Sequence, residues 1–217
     1  MFAYLAAFVS IILALAVSDL VQSLHRLLRA RGRVRWSLTA LIAAATVFMA
    51  ILEEFFGLWR FTGVEWFTYF DLLTLIVPAI LLSIAAMTVL PDEVPDAGLD
   101  LAQYYMDNRR LLYLLQALWV LGVFVRLMDL FESVTGRTTS TLEMAAMFPW
   151  QTIPLLCLFA LLCWSGSMRV QLIGVIAVFA LVNGTIANRS RHATGRSPRA
   201  VTIRRIAKQR ARFPTGR

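Results

Sequence analysis

Six apolar runs, each about as long as a bilayer's hydrocarbon core requires of a helix, follow one another through this chain, and no stretch between them is long enough to form a core in water. About 20 residues at 1.5 Å each cross that core. Lipid offers the backbone no hydrogen-bond partner, so each run reads as a helix that satisfies its own amides. The runs are Phe2 to Gln22, Ser37 to Trp59, Phe67 to Leu90, Leu111 to Phe131, Ala145 to Trp164 and Val170 to Asn188. The expected fold is therefore all-α, a polytopic membrane bundle of six transmembrane helices over residues 1–188. Composition agrees: 59% of residues are hydrophobic and 16% are charged, against roughly 25% charged in a soluble domain. The fifth run carries Pro149 and Pro154 in its first half, which predicts a bent or interfacial outer end, since proline is tolerated at a helix start and kinks an interior.

Ala14, Leu15 and Ala16 give the first run an A-x-A pattern of the kind found at signal cleavage sites, but no basic residue precedes it and the arginines follow it. It reads as an uncleaved anchor. Orientation follows Arg and Lys in short loops. Arg26, Arg29, Arg31, Arg33 and Arg35 in the first loop place that loop in the cytoplasm and the N-terminus outside; alternation adds Arg109, Arg110 and Arg169 to the inside. Residues 189–217 oppose this, because six crossings send their ten basic and no acidic residues outside. A five-crossing chain with the tail inside satisfies both ends. The formal charge of +8 comes from that tail alone, since residues 1–188 carry 11 basic and 13 acidic side chains.

Residues 91–110 differ from the other loops. Pro91, Asp92, Glu93, Pro95, Asp96 and Gly98 make an acidic turn, and Asp100 is placed to cap a short helix through Leu101, Tyr104, Tyr105 and Asn108 lying at the headgroups. The loop divides the chain into three helices and three helices, an arrangement open to an inverted repeat.

Charges inside a span are costly and mark either function or a structural pairing. Asp19 lies near the inner end of the first run, and Glu53, Glu54, Asp71, Arg126 and Asp129 fall toward the other side. At 100° per residue Ala43, Thr46, Ala50, Glu53, Glu54 and Gly57 share one face of the second helix; Asp71, Thr74, Pro78 and Ala85 share one on the third; Trp119, Gly122, Arg126, Asp129 and Ser133 share one on the fourth. Arg126 is the only base in any run, hence the counter-ion for Glu53, Glu54, Asp71 or Asp129, with at least one carboxyl left protonated or hydrated. Two readings stand: a proton or solute relay built on this layer, or an interfacial rim wetted by headgroups next to Arg60. The aromatic cluster from Phe55 to Phe70 reads as a headgroup belt. Ala3, Ala7, Ser10, Ala14 and Ser18 on the first helix, and Ala180 and Gly184 on the last, form small-residue packing faces toward the bundle or a partner.

Several chemistries lack their parts. His25 and His192 both lie outside the runs, so membrane haem held by paired histidines is excluded; Cys157 and Cys163 do not share a helix face, so neither a disulfide framework nor a metal clip is expected. No HExxH, CxxC, phosphate loop or GxSxG occurs. No cofactor, metal or catalytic residue is expected, and the chain is not read as an enzyme. The basic tail, with Arg204, Arg205, Lys208, Arg210 and Arg212 among Ile203, Ile206 and Phe213, reads as disordered alone and able to lie on anionic lipid headgroups, with nucleic acid the weaker alternative.

Ser18, Asp19 and Leu20, then Leu24 to Arg31, Pro91 to Glu93 and Tyr104 to Arg110 resemble the corresponding stretches of a group of uncharacterised bacterial integral membrane proteins of about this length. The resemblance covers about the first 130 residues and implies a bacterial inner-membrane location, with no activity attached. Two function classes follow: an accessory or scaffold component that packs on lipid, on a membrane protein partner or on a second copy; and a small channel or proton-coupled transporter using the Glu53, Glu54, Asp71, Arg126 and Asp129 layer. Burial and convergence of that layer discriminate them.

Overall fold

The computed structural model describes residues 2–61, 69–135 and 152–194. Six α-helices account for nearly all of them: α1 Phe2–Arg29, α2 Leu38–Gly57, α3 Tyr69–Val89, α4 Leu101–Thr135, α5 Thr152–Trp164 and α6 Met168–Thr194. The fold is all-α. Three helical segments, Ala3–Arg29, Leu38–Gly57 and Leu72–Val89, are long and apolar enough to cross a bilayer. As described, α5 has 13 residues and spans about 20 Å, short of a hydrocarbon core of about 30 Å. Its Pro154 falls in the first turn, where a proline costs no backbone hydrogen bond. The earlier part of the fifth run, 145–151, lies outside the described residues, as do residues 67 and 68 of the third.

The chain divides into two compact units, Met1–Val182 and Asn183–Arg217. Within the first, α3 is central and packs on α1, α2 and α4, while α4 also packs on α5. Buried positions repeat at helical spacing: Val9, Leu13, Ala16, Leu20 and Leu27 on α1; Ala43, Val47, Ala50 and Ile51 on α2; Leu75, Ala79, Leu82, Ala86 and Val89 on α3. The opposite faces are apolar too, with Ile11, Leu15, Ile84, Leu114 and Ile173 exposed. Helices apolar all round suit a lipid surround. Close approach of α3 and α4 depends on Gly122, where a Cβ would lie 3.0 Å from Cγ of Pro78. Gly174 on α6 likewise makes room for the buried Leu162 of α5, whose Cδ2 would lie 2.5 Å from a Cβ there.

Three helix ends depart from the apolar runs. α1 continues from Gln22 to Arg29, because arginine does not stop a helix and Arg26 and Arg29 complement its C-terminal dipole; the chain leaves the helix only at a 3₁₀ turn around Gly32. The separate headgroup helix expected between Asp100 and Asn108 is absent: α4 runs unbroken from Leu101 to Thr135, through the fourth apolar run. Asp100 does cap it, Oδ1 accepting from the amides of Ala102 at 2.9 Å and Gln103 at 3.3 Å. No glycine or proline follows until Gly122, and Leu101 and Tyr105 are buried in the bundle rather than laid on a surface. α6 also outruns its apolar stretch, reaching Thr194, so Arg189 and Arg191 belong to a helix and not to a disordered tail. The tail positions Arg204, Arg205, Lys208, Arg210 and Arg212 lie outside the described residues.

Of the two alternatives for the small-residue face of α1, the structure excludes the bundle: Ala3, Ala7, Ala14 and Ser18 are exposed, and the larger Leu5, Val9 and Leu13 face the interior. Burying a branched side chain removes more apolar area than burying alanine, so the leucine and valine stripe wins the interior. Ala180 of α6 is exposed as well.

Candidate functional site

The second helix presents its small and polar stripe inward: Ala43, Thr46, Ala50, Glu54 and Gly57 are all buried. Glu53, 100° round the helix from Glu54, is half-buried. On α3 the stripe places Pro78 and Ala85 inside, and on α4 it places Trp119 and Arg126 there. The faces converge, and they bring Glu54 to Arg126. Glu54 is 1% exposed and Arg126 5% exposed. The guanidinium meets the carboxylate through two parallel bonds, Nη1 to Oε1 and Nη2 to Oε2, the latter 3.1 Å long. This fork arrangement matches the planar geometry of both groups. The indole N–H of Trp119, seven residues before Arg126 on α4, donates to Oε2 at 3.1 Å. Gly57, one turn beyond Glu54, leaves the guanidinium room, with Nη2 3.7 Å from where a Cβ would stand.

Of the five residues expected to form a layer, Glu54 and Arg126 thus meet as an ion pair buried within the bundle. Asp71 and Asp129 lie on α3 and α4, but their side chains are outside the described residues. Phe55, Phe56, Trp59, Tyr69 and Phe70 of the aromatic cluster are exposed around this end of α2 and α3.

A second polar cluster had no counterpart in the sequence reading. Tyr105 and Tyr113, two turns apart on α4, share a hydrogen bond of 2.7 Å between their hydroxyls. Tyr105 donates to Oε1 of Gln171 at 2.6 Å, and Nε2 of Gln171 donates to the carbonyls of Leu162 and Ser165, both at 2.7 Å. The three side chains are at most 2% exposed. Gln171 thereby satisfies carbonyls at the C-terminal end of α5 that the helix leaves open, and ties α4, α5 and α6 together. Burial pushes the Tyr105 hydroxyl up to about 12, so it keeps its proton and remains a donor. Phe159 of α5 stacks on Tyr113 at 5.8 Å. The available signal was a lone amide at the start of an apolar run and two tyrosines eight residues apart, which places them about 80° from each other around the helix.

The third cluster joins the α1–α2 and α3–α4 junctions. Residues Val34–Arg35 form a short strand, β1, paired parallel with β2, Leu99–Asp100, with Val34 opposite Leu99 and Arg35 opposite Asp100. Three ion pairs flank it: Arg26 with Asp92 at 3.5 Å, Arg33 with Asp96 at 2.7 Å and Arg35 with Asp100 at 3.4 Å. Ser23 donates to Asp92 at 2.9 Å, and the Tyr104 hydroxyl donates to the Thr88 carbonyl at 3.2 Å near the end of α3. Gly98 has φ +93° and its amide donates to the Pro95 carbonyl at 3.0 Å. Asp19 sits one turn before Ser23 on α1, and its Oδ2 is buried without a hydrogen-bond partner among the described residues. Three of the five arginines of the first loop, Arg26, Arg33 and Arg35, are thus paired with the acidic loop beside them.

Among the described residues no three His, Cys, Asp or Glu side chains come together as a metal site. No family model, curated protein or solved structure matches this chain.

Proposed function

We propose that this chain is a six-span protein of a bacterial inner membrane, with its N-terminus outside, serving as an accessory or scaffold component without a catalytic site. The observation that carries the reading is the Glu54–Arg126–Trp119 cluster. A relay needs a carboxyl that gains and loses protons against water or a carrier site. Glu54 is instead buried away from water, its two oxygens held by a bidentate guanidinium and an indole N–H, a setting that fixes one helix register. The outward small-residue face of α1 is then left for a membrane partner or a second copy. The bacterial location rests on the resemblance carried by Ser18 to Leu20, Leu24 to Arg31, Pro91 to Glu93 and Tyr104 to Arg110.

The test is proton flux in proteoliposomes under an imposed pH gradient. The scaffold reading expects flux no faster than in protein-free vesicles, for the wild type and for Glu54→Gln alike. Rapid flux that Glu54→Gln abolishes would make the chain a proton conductor. Topology is read separately in intact cells, from single cysteines at Ser140 and Ser197 on a background lacking Cys157 and Cys163. Six crossings expect both to label from outside.

A further inference from the structure

Between α4 and α5 the surface opens into a groove of about 480 Å³, within the range of small-ligand sites. Tyr113, Leu114 and Ala117 form one wall, and Leu156, Phe159 and Ala160 form the other. Ala117 and Ala160 are what keep it open, since a larger side chain at either position would fill it. Arg110, Cys163 and Trp164 stand at the mouth. The end of the groove is fixed in depth by the chain itself: Arg110 immediately precedes the apolar run of α4, and Trp164 closes that of α5 with 82% of its surface exposed. An arginine and a tryptophan at the ends of adjacent apolar helices mark headgroup level. From Arg110 to Ala117 the groove descends about 10 Å along the helix toward the hydrocarbon.

Charge decides what kind of molecule suits this shape. Arg110 is exposed and makes no ion pair among the described residues, unlike Arg26, Arg33 and Arg35 at the same end of the bundle. Arg169, at the start of α6, is likewise exposed and unpaired there. The groove below is apolar and aromatic. We propose that it binds an anionic glycerophospholipid, with one acyl chain laid along Ala117 and Ala160 and the phosphate on Arg110. The chain must be long and apolar to follow the walls, and the head must be anionic to meet an unpaired guanidinium. The inference rests on the membrane reading above.

The experiment uses full-length protein extracted in mild detergent, with prior carbonate-resistant membrane fractionation as the check on that reading. Native mass spectrometry then follows retention of phosphatidylglycerol and phosphatidylcholine with identical acyl chains. The expected result is one retained phosphatidylglycerol, preferred over phosphatidylcholine by about fivefold, the factor one arginine near a surface supplies. Arg110→Gln, at an exposed position, should remove the preference while leaving acyl-chain retention. Ala160→Phe, also exposed, should remove retention of both lipids. Excess inorganic phosphate should not displace the bound lipid. Equal retention of both lipids by the wild type, or an Ala160→Phe variant that retains lipid as before, would overturn the proposal. So would a dimer without lipid that Ala160→Phe dissociates, which would assign the groove to a second copy. Protein that fails the fractionation would instead overturn the membrane reading itself.

Discussion

The same chemistry, arginine against carboxylate, appears at two places in this molecule with opposite surroundings. At the α1–α2 and α3–α4 junctions the side chains of Arg26 and Asp92 are 48% and 56% exposed; between α2 and α4 those of Arg126 and Glu54 are 5% and 1% exposed. Exposed pairs stand in high dielectric and gain little, while their number and a two-residue strand pair fix which loops lie together. A buried pair gains a large Coulomb term and loses a comparable desolvation term, so its net worth against apolar residues is small. Its effect is asymmetric: intact it costs little, and halved it leaves a bare charge inside. The junction therefore sets placement through many weak contacts, and the interior pair sets register through one that tolerates no misalignment.

Halving the interior pair gives the largest expected effect. Arg126→Met leaves Glu54 buried with only the Trp119 indole, and should cost about 3–5 kcal/mol. Reversible unfolding in mixed detergent micelles measures it. The double variant Glu54→Leu with Arg126→Met should recover most of that loss, short of the cost of the Trp119 N–H left without an acceptor. Recovery separates pairing from packing: if the double variant is as unstable as Arg126→Met, shape and not charge is what α2 and α4 share.

Much of this pair was legible in the sequence, because helical periodicity assigns faces without knowledge of neighbours. Ala43, Thr46, Ala50, Glu54 and Gly57 share a stripe, and Arg126 is the only base in any apolar run, so Glu54 stood with Glu53, Asp71 and Asp129 as one of four acids that could meet it. Periodicity does not say which of two adjacent acids faces inward; Glu53 and Glu54 differ by 100° on a stripe of about that width. Helix ends were less legible, since apolar runs report where lipid stops and helices stop only at caps and breakers. α1 passes Gln22 to Arg29 and α4 begins at Leu101 for that reason. Contacts between distant segments left the weakest trace. Nothing local in Gln171 indicates that it bonds Tyr105, 66 residues away.

That buried but uncharged cluster lies between the two extremes of the comparison. Gln171→Leu removes the acceptor of Tyr105 and the donor to the carbonyls of Leu162 and Ser165, and should cost about 1–3 kcal/mol. The same unfolding measurement applies, and the loss should not change with salt because no net charge is involved. A loss below about 0.5 kcal/mol, well under the usual cost of a buried group left unsatisfied, would mean that water replaces the amide and that this end of the bundle is wet.

The junction is predicted to give the smallest effect of a single charge change. Arg26→Gln removes the 3.5 Å ion pair with Asp92 and the 3.1 Å bond to its carbonyl, while Ser23 still holds the Asp92 carboxylate. The loss should stay below about 1 kcal/mol at low salt. It should fade toward zero near 1 M salt, where the screening length falls to about 3 Å. Backbone change at the same place should cost more: in Gly98→Ala the new Cβ would lie 3.0 Å from the Arg33 carbonyl at a φ of +93°, so the loop must move and Val34 should lose its register with Leu99. Cysteines placed at Val34 and Leu99 report that register by their rate of crosslinking. Rates unchanged by Arg26→Gln and lowered by Gly98→Ala would show that the backbone fit of the two loops, more than any one of their ion pairs, holds this end together. The reverse order would give the arginines the larger part.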